Sequence, residues 1–339
     1  MEQVATIYGP EAITPQMLQH DIPDECAWTG GGLSPEDWVI PLPEVCLAEL
    51  DEAVHLLHRY PQPIHLLLPK DFQLTACAEI MSQVRAQLEV HTGIAILDRI
   101  PVERYRLDDN KAIGWLLTSM LSQVVAQTRD GTFLYNVKDC GNPLGHRGRR
   151  SVTTRPLPFH TDGSWLDPPP EVVSLLCVQP AQAGGLSRFV SLLAAHNEMR
   201  RRYPDLLGRL YHPFLWDRQA EHRPGHVPYR AHPVYQYDGQ NLTARYNGDS
   251  IRRGYHLADE TLDLCGEAAL ISLKMTLNDP QSRVEVGLEA GQILYLNNHQ
   301  FAHARSAFTD DPERSPPHHL VRCWGRFVSS ATVSARSTL

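Results

Sequence analysis

One short segment constrains this chain of 339 residues more than any other, the Pro-rich run at 156–170. It holds His160 and Asp162 two positions apart, after a stretch that we predict to be extended. Side chains at positions i and i+2 of a strand project from the same face, so this imidazole and this carboxylate can converge on one point. The spacing therefore predicts half of a metal site, although a turn closed by the aspartate side chain is the common alternative for His-x-Asp.

A complete metal site needs a third ligand from far along the chain. His303 is the candidate, because it follows residues 291–302, a strand-like run that ends in polar residues. Two histidines and one carboxylate on one side of a metal leave the opposite positions open, as in non-haem Fe(II) oxygenases. The chain has 17 histidines, so a partner by chance is the competing explanation.

Composition and charge exclude several classes of protein. The net charge of −8 argues against nucleic acid or an anionic membrane as the main partner. No apolar run approaches membrane-spanning length, and the N-terminus lacks the features of a secretory signal. The cysteines are odd in number and form no Cys-x-x-Cys pair, which predicts reduced thiols and a cytoplasmic protein. They are Cys26, Cys46, Cys77, Cys140, Cys177, Cys265 and Cys323.

The hydrophobic pattern divides the chain into an extension and one large domain. Residues 1–70 are Pro-rich and weakly patterned, with a helix predicted near 48–59 and a short buried strand at 64–68. Residues 71–339 are predicted to be a single domain in which helices accompany many strands. Within it, residues 209–256 have little periodicity but are rich in His, Arg, Tyr and Pro, which favours a lid.

Two further positions suggest a site for a carboxylate. Ser187 follows a Gly-Gly turn, and its hydroxyl can bind a carboxylate oxygen or stabilise the turn. Arg322 lies in an apolar and aromatic strand, where a forked guanidinium suits a carboxylate and an unpaired one is costly. A surface ion pair is the alternative. The loop at 141–158 adds Arg147, Arg149, Arg150 and Arg155, of which only Arg155 is near the predicted ligands.

Taken in order, four motifs resemble the taurine dioxygenase (TauD/TfdA-like) family and its clavaminate synthase-like relatives. The resemblance covers residues 90–327 and implies a mainly β fold, a double-stranded β-helix or jelly roll with a helical buttress and an inserted lid. The motifs are His160-Thr-Asp162, Gly184-Gly185-Leu-Ser187, Asn297-Asn298 with His303-Ala-Arg305, and His318-His-Leu-Val-Arg322-Cys-Trp324.

The resemblance implies that His160, Asp162 and His303 bind Fe(II), and that Ser187 contacts the distal carboxylate of 2-oxoglutarate. The family usually has arginine at position 318, where this chain has histidine. The ion pair to the co-substrate is then left to Arg322, with help from His318. The implied reaction consumes O2 and 2-oxoglutarate and gives succinate, CO2 and an oxidised C–H bond. The carboxylate of Asp162 favours hydroxylation, desaturation or cyclisation over halogenation, which needs that position vacant.

The substrate is expected to be a small polar molecule, carboxylate-bearing or zwitterionic, because of the arginines. Candidate contacts are Trp165, Arg218, Glu221 and Arg245, with packing of the lid as the alternative for each, and Arg155, with a solvated charged loop as its alternative. Two other functions are weighed against the oxygenase, a cupin-like binding protein without turnover and a zinc hydrolase with the same triad. The sequence leaves both a monomer and a homo-oligomer open.

Overall fold

The computed structural model describes residues 14–139, 153–310 and 316–327, except residues 24 and 26, together with residue 313. Arg147, Arg149 and Arg150 of the predicted arginine-rich loop lie outside these residues. None of the helices in the described part of the chain combines the length and the apolar character that crossing a bilayer would require.

Helices flank many short strands in the described residues. The helices are α1 (Glu44–Arg59), α2 (Thr75–Glu89), α3 (Leu107–Leu121), α4 (Leu192–Arg202), α5 (Pro204–Leu210), α6 (Gly248–Ala258) and α7 (Leu264–Leu277). The strands are β1 (Val39–Pro41), β2 (Ile94–Asp98), β3 (Ser122–Val125), β4 (Tyr135–Val137), β5 (Leu157–His160), β6 (Val172–Gln179), β7 (Ala183–Gly184), β8 (Ser187–Ser191), β9 (Phe214–Asp217), β10 (Tyr229–His232), β11 (Tyr235–Tyr237), β12 (Leu242–Ala244), β13 (Arg283–Val286), β14 (Ile293–Asn297), β15 (Phe301–Arg305), β16 (Phe308–Thr309) and β17 (His319–Phe327).

Two sheets form the centre of the molecule. The larger has the strand order β1-β2-β14-β6-β17-β3, and β4 also pairs with β17. The smaller has the order β13-β8-β15-β5, and all of its pairings are antiparallel. Long-range antiparallel pairings, such as β14 with β6 and β17 with β6, bring chain segments more than a hundred residues apart into register.

The two faces of the larger sheet bury different layers. The outer face packs on α1, α2 and α3, which present Leu50, Val84 and Leu116 to it. The inner face shares a second core with the smaller sheet, and this core continues to α4, α5 and α7. Residues alternate between the two layers along each strand, as a strand buried on both faces requires. Helices on one side and a second sheet on the other agree with the prediction of strands with flanking helices.

The N-terminal segment packs directly on the rest of the chain. Strand β1 runs parallel to β2, with Val39 opposite Ile96. The Trp28 indole stacks on Phe301 at 5.2 Å and donates a hydrogen bond to the Thr92 carbonyl at 2.7 Å. One local prediction is wrong, because Ile64–Leu66 is a 3-10 helix and not a strand. Prolines on both sides of this short run favour a tight turn over an extended ladder.

The segment at 209–256 is more regular than its sequence pattern predicted. Strand β9 pairs with β10 and β11 pairs with β12, so two hairpins replace the irregular run. Helix α6 then begins at Gly248, with the Asn247 side chain accepting a hydrogen bond from the Ser250 amide at 2.9 Å. The strands are only three or four residues long, which is too short for a period-two pattern to be distinct.

Candidate active site

The structure brings His160, Asp162 and His303 together in a buried cluster between the sheets. His160 is the last residue of β5, and His303 lies opposite it in β15. Asp162 follows β5 by two residues. One ligand atom from each side chain lies within 4.8 Å of the others, and the His160 Nε2 to Asp162 Oδ1 distance is 3.5 Å. The 3.5 Å separation suits two ligands of a single metal ion with bonds of about 2.0–2.2 Å.

The backbone around Asp162 is held by a distant amide side chain. Asn298 Oδ1 accepts a hydrogen bond from the Asp162 amide at 2.8 Å, and Asn298 Nδ2 donates to the Asp162 carbonyl at 2.9 Å. One residue earlier, the Thr161 amide donates to the Tyr246 carbonyl at 2.6 Å. Asp162 lies outside the regular strand, so these bonds fix its position where the sheet ladder does not.

Two donors keep the Asp162 carboxylate charged. Arg322 Nη1 donates to Oδ1 at 3.0 Å, and the Trp324 indole donates to Oδ2 at 2.9 Å. Burial by itself would raise the pKa of Asp162, but the Arg322 guanidinium and the nearby histidines hold it well below its usual range. The carboxylate is therefore ionised at neutral pH, as a metal ligand must be.

Both histidines can offer a ring nitrogen to a metal. The carbonyl of Pro158 lies 2.9 Å from His160 Nδ1, so this nitrogen carries the hydrogen and Nε2 is left as the ligand atom. Burial lowers the pKa of His303 to about 3, and His160 adds to this effect. Two imidazoles and one carboxylate on one side of a point match the donor set of a non-haem Fe(II) site. The residues present therefore fit the predicted metal.

Several contacts hold the Arg322 side chain beside the metal ligands. Its Nε donates to Gln127 Oε1 at 2.8 Å, and its guanidinium lies 5.1 Å from the ring centroids of Tyr135 and Trp324. The buried charge is thus paired with Asp162 and stacked between aromatic rings. The prediction that Arg322 holds the distal carboxylate of the co-substrate stays a prediction.

The other two residues predicted to bind the co-substrate are Ser187 and His318. Both lie near the Arg305 end of β15. Ser187 in β8 is opposite Arg305 in β15, and His303 is opposite Phe189 in the same ladder. The His318 ring is 4.7 Å from the Phe308 ring, and the Arg305 guanidinium is also 4.7 Å from it. Burial lowers the pKa of Arg305 to about 10, which leaves its charge intact at neutral pH.

A cavity of about 730 Å³ opens beside the metal ligands. Trp165 lines it and packs edge-on against Trp324, with ring centroids 6.4 Å apart. This predicted substrate contact is therefore placed beside the cluster. The segment at 209–256 also lines the cavity, in part through Tyr246 and Asn247.

The remaining predicted substrate contacts do not line this cavity in the described part of the chain. Arg245 is buried, and its Nη1 donates to the Ser164 and Leu166 carbonyls at 3.1 and 2.9 Å. Arg218 donates to the Val227 carbonyl, and Glu221 accepts from the Arg129 amide. Arg155 is exposed. Arg245, Arg218 and Glu221 thus contact backbone groups, and the role of all four residues as substrate contacts stays a prediction.

Three residues of the site were missed by the sequence reasoning. Gln127 comes from the end of β3 and gave no signal, because its pairing with Arg322 joins positions 195 residues apart. Asn298 was noted as part of a motif without a role. Arg305 was noted in the same way, although its i+2 spacing from His303 places both side chains on one face of a strand.

Comparisons with known proteins agree with this geometry. Residues 63–324 match the model of the family described as "Taurine catabolism dioxygenase TauD, TfdA family". The FR-33289 synthase of Streptomyces rubellomurinus is 24% identical over 299 residues, covering 85% of this chain and 84% of the relative.

Solved structures share the fold at low sequence identity. An asparagine oxygenase with Fe(II), 3-hydroxyasparagine and succinate has a TM-score of 0.63 at 16% identity, covering 86% of this chain and 93% of its own. The non-haem iron oxygenase OrfP with Fe, succinate and (3S)-hydroxy-L-Arg has a TM-score of 0.64 at 12% identity, covering 88% and 97%.

The family match spans most of the chain, and the donor set that defines the chemistry is present in the structure. Proteins of this family use Fe(II), 2-oxoglutarate and O2 to oxidise small molecules, which confirms the predicted enzyme class and cofactors. The chain belongs to the TauD/TfdA family and is a 2-oxoglutarate-dependent dioxygenase.

Proposed function

We propose that this enzyme hydroxylates a C–H bond of a small zwitterionic or anionic molecule. The observation that carries the proposal is the buried cluster of His160, Asp162 and His303 beside a cavity of about 730 Å³. In the overall reaction, 2-oxoglutarate loses CO2 and becomes succinate. One atom of O2 enters succinate and the other enters the product as a hydroxyl group. Desaturation and cyclisation are the other outcomes consistent with an intact carboxylate ligand.

The residues around the cluster have distinct tasks. His160, Asp162 and His303 would hold Fe(II), which supplies the open positions where the keto acid and O2 react. Arg322 and Trp324 keep the carboxylate ionised and oriented by donating to its two oxygens. The Pro158 carbonyl fixes the tautomer of His160. Trp165 covers one side of the cavity and limits the entry of water.

We further propose that the two sheets form a double-stranded β-helix, or jelly roll, in a domain at 71–339, with β1 of the N-terminal extension added at the edge of the larger sheet. The antiparallel ladders and the core shared between the sheets support this assignment. Residues 209–256 would be the lid. The bonds between Thr161 and Tyr246 tie this segment to the strand that carries the metal ligands. Substrate entry would then be coupled to the position of those ligands.

The class of substrate is inferred from charge and from the relatives. Cationic side chains line the cavity toward the lid, including Arg252, Arg253 and Lys274, with Asp217 and Asp249 among them. Arg253 pairs with Asp217 at 2.9 Å, so both signs of charge are present on this wall. Two structural neighbours are described with hydroxylated amino acids bound. A zwitterion such as an amino acid fits such a wall.

The experiment is a screen of amino acids and small carboxylates with the Fe(II)-loaded protein. We expect one class of compound to raise succinate formation and to gain one oxygen atom by mass spectrometry, only when O2 is present. N-oxalylglycine should inhibit the reaction. Asp162→Ala is the matched control and should form neither succinate nor the oxidised product.

Two results would contradict the proposal. Tight binding of a compound without any succinate would favour the cupin-like binding protein. Turnover of a compound by the zinc-loaded protein without O2 would favour the hydrolase.

A further inference from the structure

The turn that carries Asp162 depends on donors from other parts of the chain. Residues 161–166 follow strand β5 and bend, with the Leu166 amide donating to the Gly163 carbonyl at 2.8 Å. The turn lies outside the regular sheet ladder, and a buried carbonyl without a donor is costly. Asn298 binds the turn at the Asp162 backbone. Two adjacent residues from the segment at 209–256 supply further bonds.

Arg245 and Tyr246 are these two residues. The Arg245 Nη1 atom donates to the Ser164 carbonyl at 3.1 Å and to the Leu166 carbonyl at 2.9 Å. The Tyr246 carbonyl accepts from the Thr161 amide at 2.6 Å, and the Tyr246 amide donates to Thr161 Oγ1 at 3.0 Å. These bonds join both ends of the turn to one dipeptide, and the metal ligand of the turn lies between them.

The Arg245 side chain suits this task because it is buried and charged. It is 9% exposed. Burial lowers its pKa to about 10 and the Asp167 charge opposes that change, so the guanidinium is charged at neutral pH. Hydrogen bonds from a charged donor are stronger than those from a neutral one. The Arg245 amide donates to the Val234 carbonyl at 2.9 Å, which ties its backbone to the stretch between β10 and β11.

The metal ligands and these bonds act on the same turn. A metal ion held by His160, Asp162 and His303 would fix the middle of the turn. The bonds to Arg245 and Tyr246 fix the residues on either side of it. If the bonds favour the position in which Asp162 binds a metal, then a bound metal favours the bonds by the same factor.

We propose that Arg245 is a positioning residue that couples metal binding to the docking of segment 209–256 on the metal site. In this role it acts through the Ser164 and Leu166 carbonyls and needs no contact with the substrate. The inference rests on the proposed function in one respect, that the three ligands hold a metal ion. Metal loading then holds this wall of the cavity in place before a substrate arrives.

The test measures the coupling from both ends. Mn(II) affinity is measured by calorimetry without O2, and amide exchange of residues 242–247 is followed by mass spectrometry with and without Mn(II). In the unmodified protein, Mn(II) should slow this exchange by about tenfold and leave exchange in α1 unchanged. For Arg245→Met we expect Mn(II) affinity to fall about tenfold and the metal-dependent slowing to be lost. A purely structural role would speed exchange equally with and without the metal.

Matched variants separate this role from a general loss of stability. Arg209→Met is the control, because Arg209 belongs to the same segment and also donates to backbone carbonyls, those of His212 and Pro213. It should leave Mn(II) affinity unchanged. Thr161→Val removes the hydroxyl acceptor at nearly constant shape and should weaken Mn(II) binding about 3- to 10-fold, whereas Thr161→Ser should retain it. This pair tests the same coupling if Arg245→Met does not fold.

The outcomes distinguish the inference from the function beneath it. If the unmodified protein does not bind Mn(II), or Asp162→Ala binds it equally well, the proposed metal site fails. If the metal site holds but exchange of residues 242–247 does not respond to Mn(II), the coupling is overturned while the function stands. The same conclusion follows if Arg245→Met and Thr161→Val leave Mn(II) affinity unchanged, or if Arg209→Met lowers it as much.

Discussion

The two faces of the larger sheet are built from the same strands but bury different kinds of side chain. On the outer face, β2 presents Leu97 and β17 presents Val321 to the helices α1 to α3. On the inner face, β17 presents Arg322 and Trp324 to the metal ligands of the smaller sheet. The outer face gains stability from burial of apolar surface. The inner face buries charges, and each has to be compensated by a partner.

This contrast shows how one sheet can be both scaffold and active site. Because side chains alternate along β17, Val321 and Arg322 are neighbours in sequence yet belong to different layers. A change on one face should therefore alter stability alone, while a change on the other should alter stability and ligand binding together. The predictions below test this separation.

The largest effect is expected from breaking the ion pair between Asp162 and Arg322 on the inner face. Asp162→Ala leaves the Arg322 guanidinium buried without a carboxylate, which should lower the free energy of unfolding by about 3–5 kcal/mol. Urea unfolding of the metal-free protein at pH 7 measures it. Adding Arg322→Met should recover most of the loss, because an apolar chain replaces the unpaired charge. A double variant no more stable than Asp162→Ala would show that the pair does not control this layer.

A cavity on the outer face should cost stability without reaching the site. Leu97→Ala removes a fully buried side chain and should lower the free energy of unfolding by about 3 kcal/mol. Binding of Mn(II) and 2-oxoglutarate should remain within about twofold, which corresponds to 0.4 kcal/mol. Urea unfolding and calorimetry on the same sample give both numbers. A tenfold weaker metal affinity would mean that the two faces are coupled.

His196 tests a third way of burying a polar group, through a hydrogen bond to a hydroxyl. Its ring is fully buried in α4, with Nε2 2.7 Å from the Tyr211 hydroxyl, and burial lowers the pKa to about 4. The folded state therefore holds the neutral ring, and its contribution to stability is complete above the unfolded pKa near 6.5. As the pH falls from 6.5 to 4, up to about 3 kcal/mol should be lost.

The measurement is the free energy of unfolding against pH. His196→Gln should flatten the curve between pH 6.5 and 4. Tyr211→Phe removes the hydrogen bond but keeps the buried ring, so it should preserve the slope. Equal slopes for His196→Gln and the unmodified protein would assign the pH dependence to other groups.

The smallest effect is expected from a single hydrogen bond on the inner face. Trp324→Phe keeps an aromatic ring but removes the indole donor to Asp162 Oδ2, and should lower the free energy of unfolding by about 2 kcal/mol. Metal affinity should fall about tenfold, because this donor orients a ligand. Calorimetry with Mn(II) measures it. Unchanged affinity would show that Arg322 alone positions the carboxylate.

Local pattern predicted much of this molecule. The helix predicted near 48–59 corresponds to α1, because a packed helix shows its period in the sequence. The irregular description of 209–256 was wrong, since strands of three or four residues carry too little pattern. The predicted strand at 64–68 failed where flanking prolines impose a turn.

The candidate site, too, could be predicted only in part from the sequence. The His160 and Asp162 spacing was visible, and the two side chains do converge, yet Asp162 lies outside the strand and is held by Asn298. Arg322 was expected to hold the co-substrate. That role stays a prediction, and the structure adds an ion pair between its guanidinium and Asp162, 160 residues apart. No local pattern encodes such a contact.

The sequence by itself determined the identities and spacings of the donor groups, and with them the chemistry that the chain can perform. The tertiary structure decided which arginine is paired with the ligand carboxylate and which side chains line the cavity. The physical reason is that a charge is assigned its partner by distance and burial, and both depend on the long-range register of β15 and β17 with their neighbours.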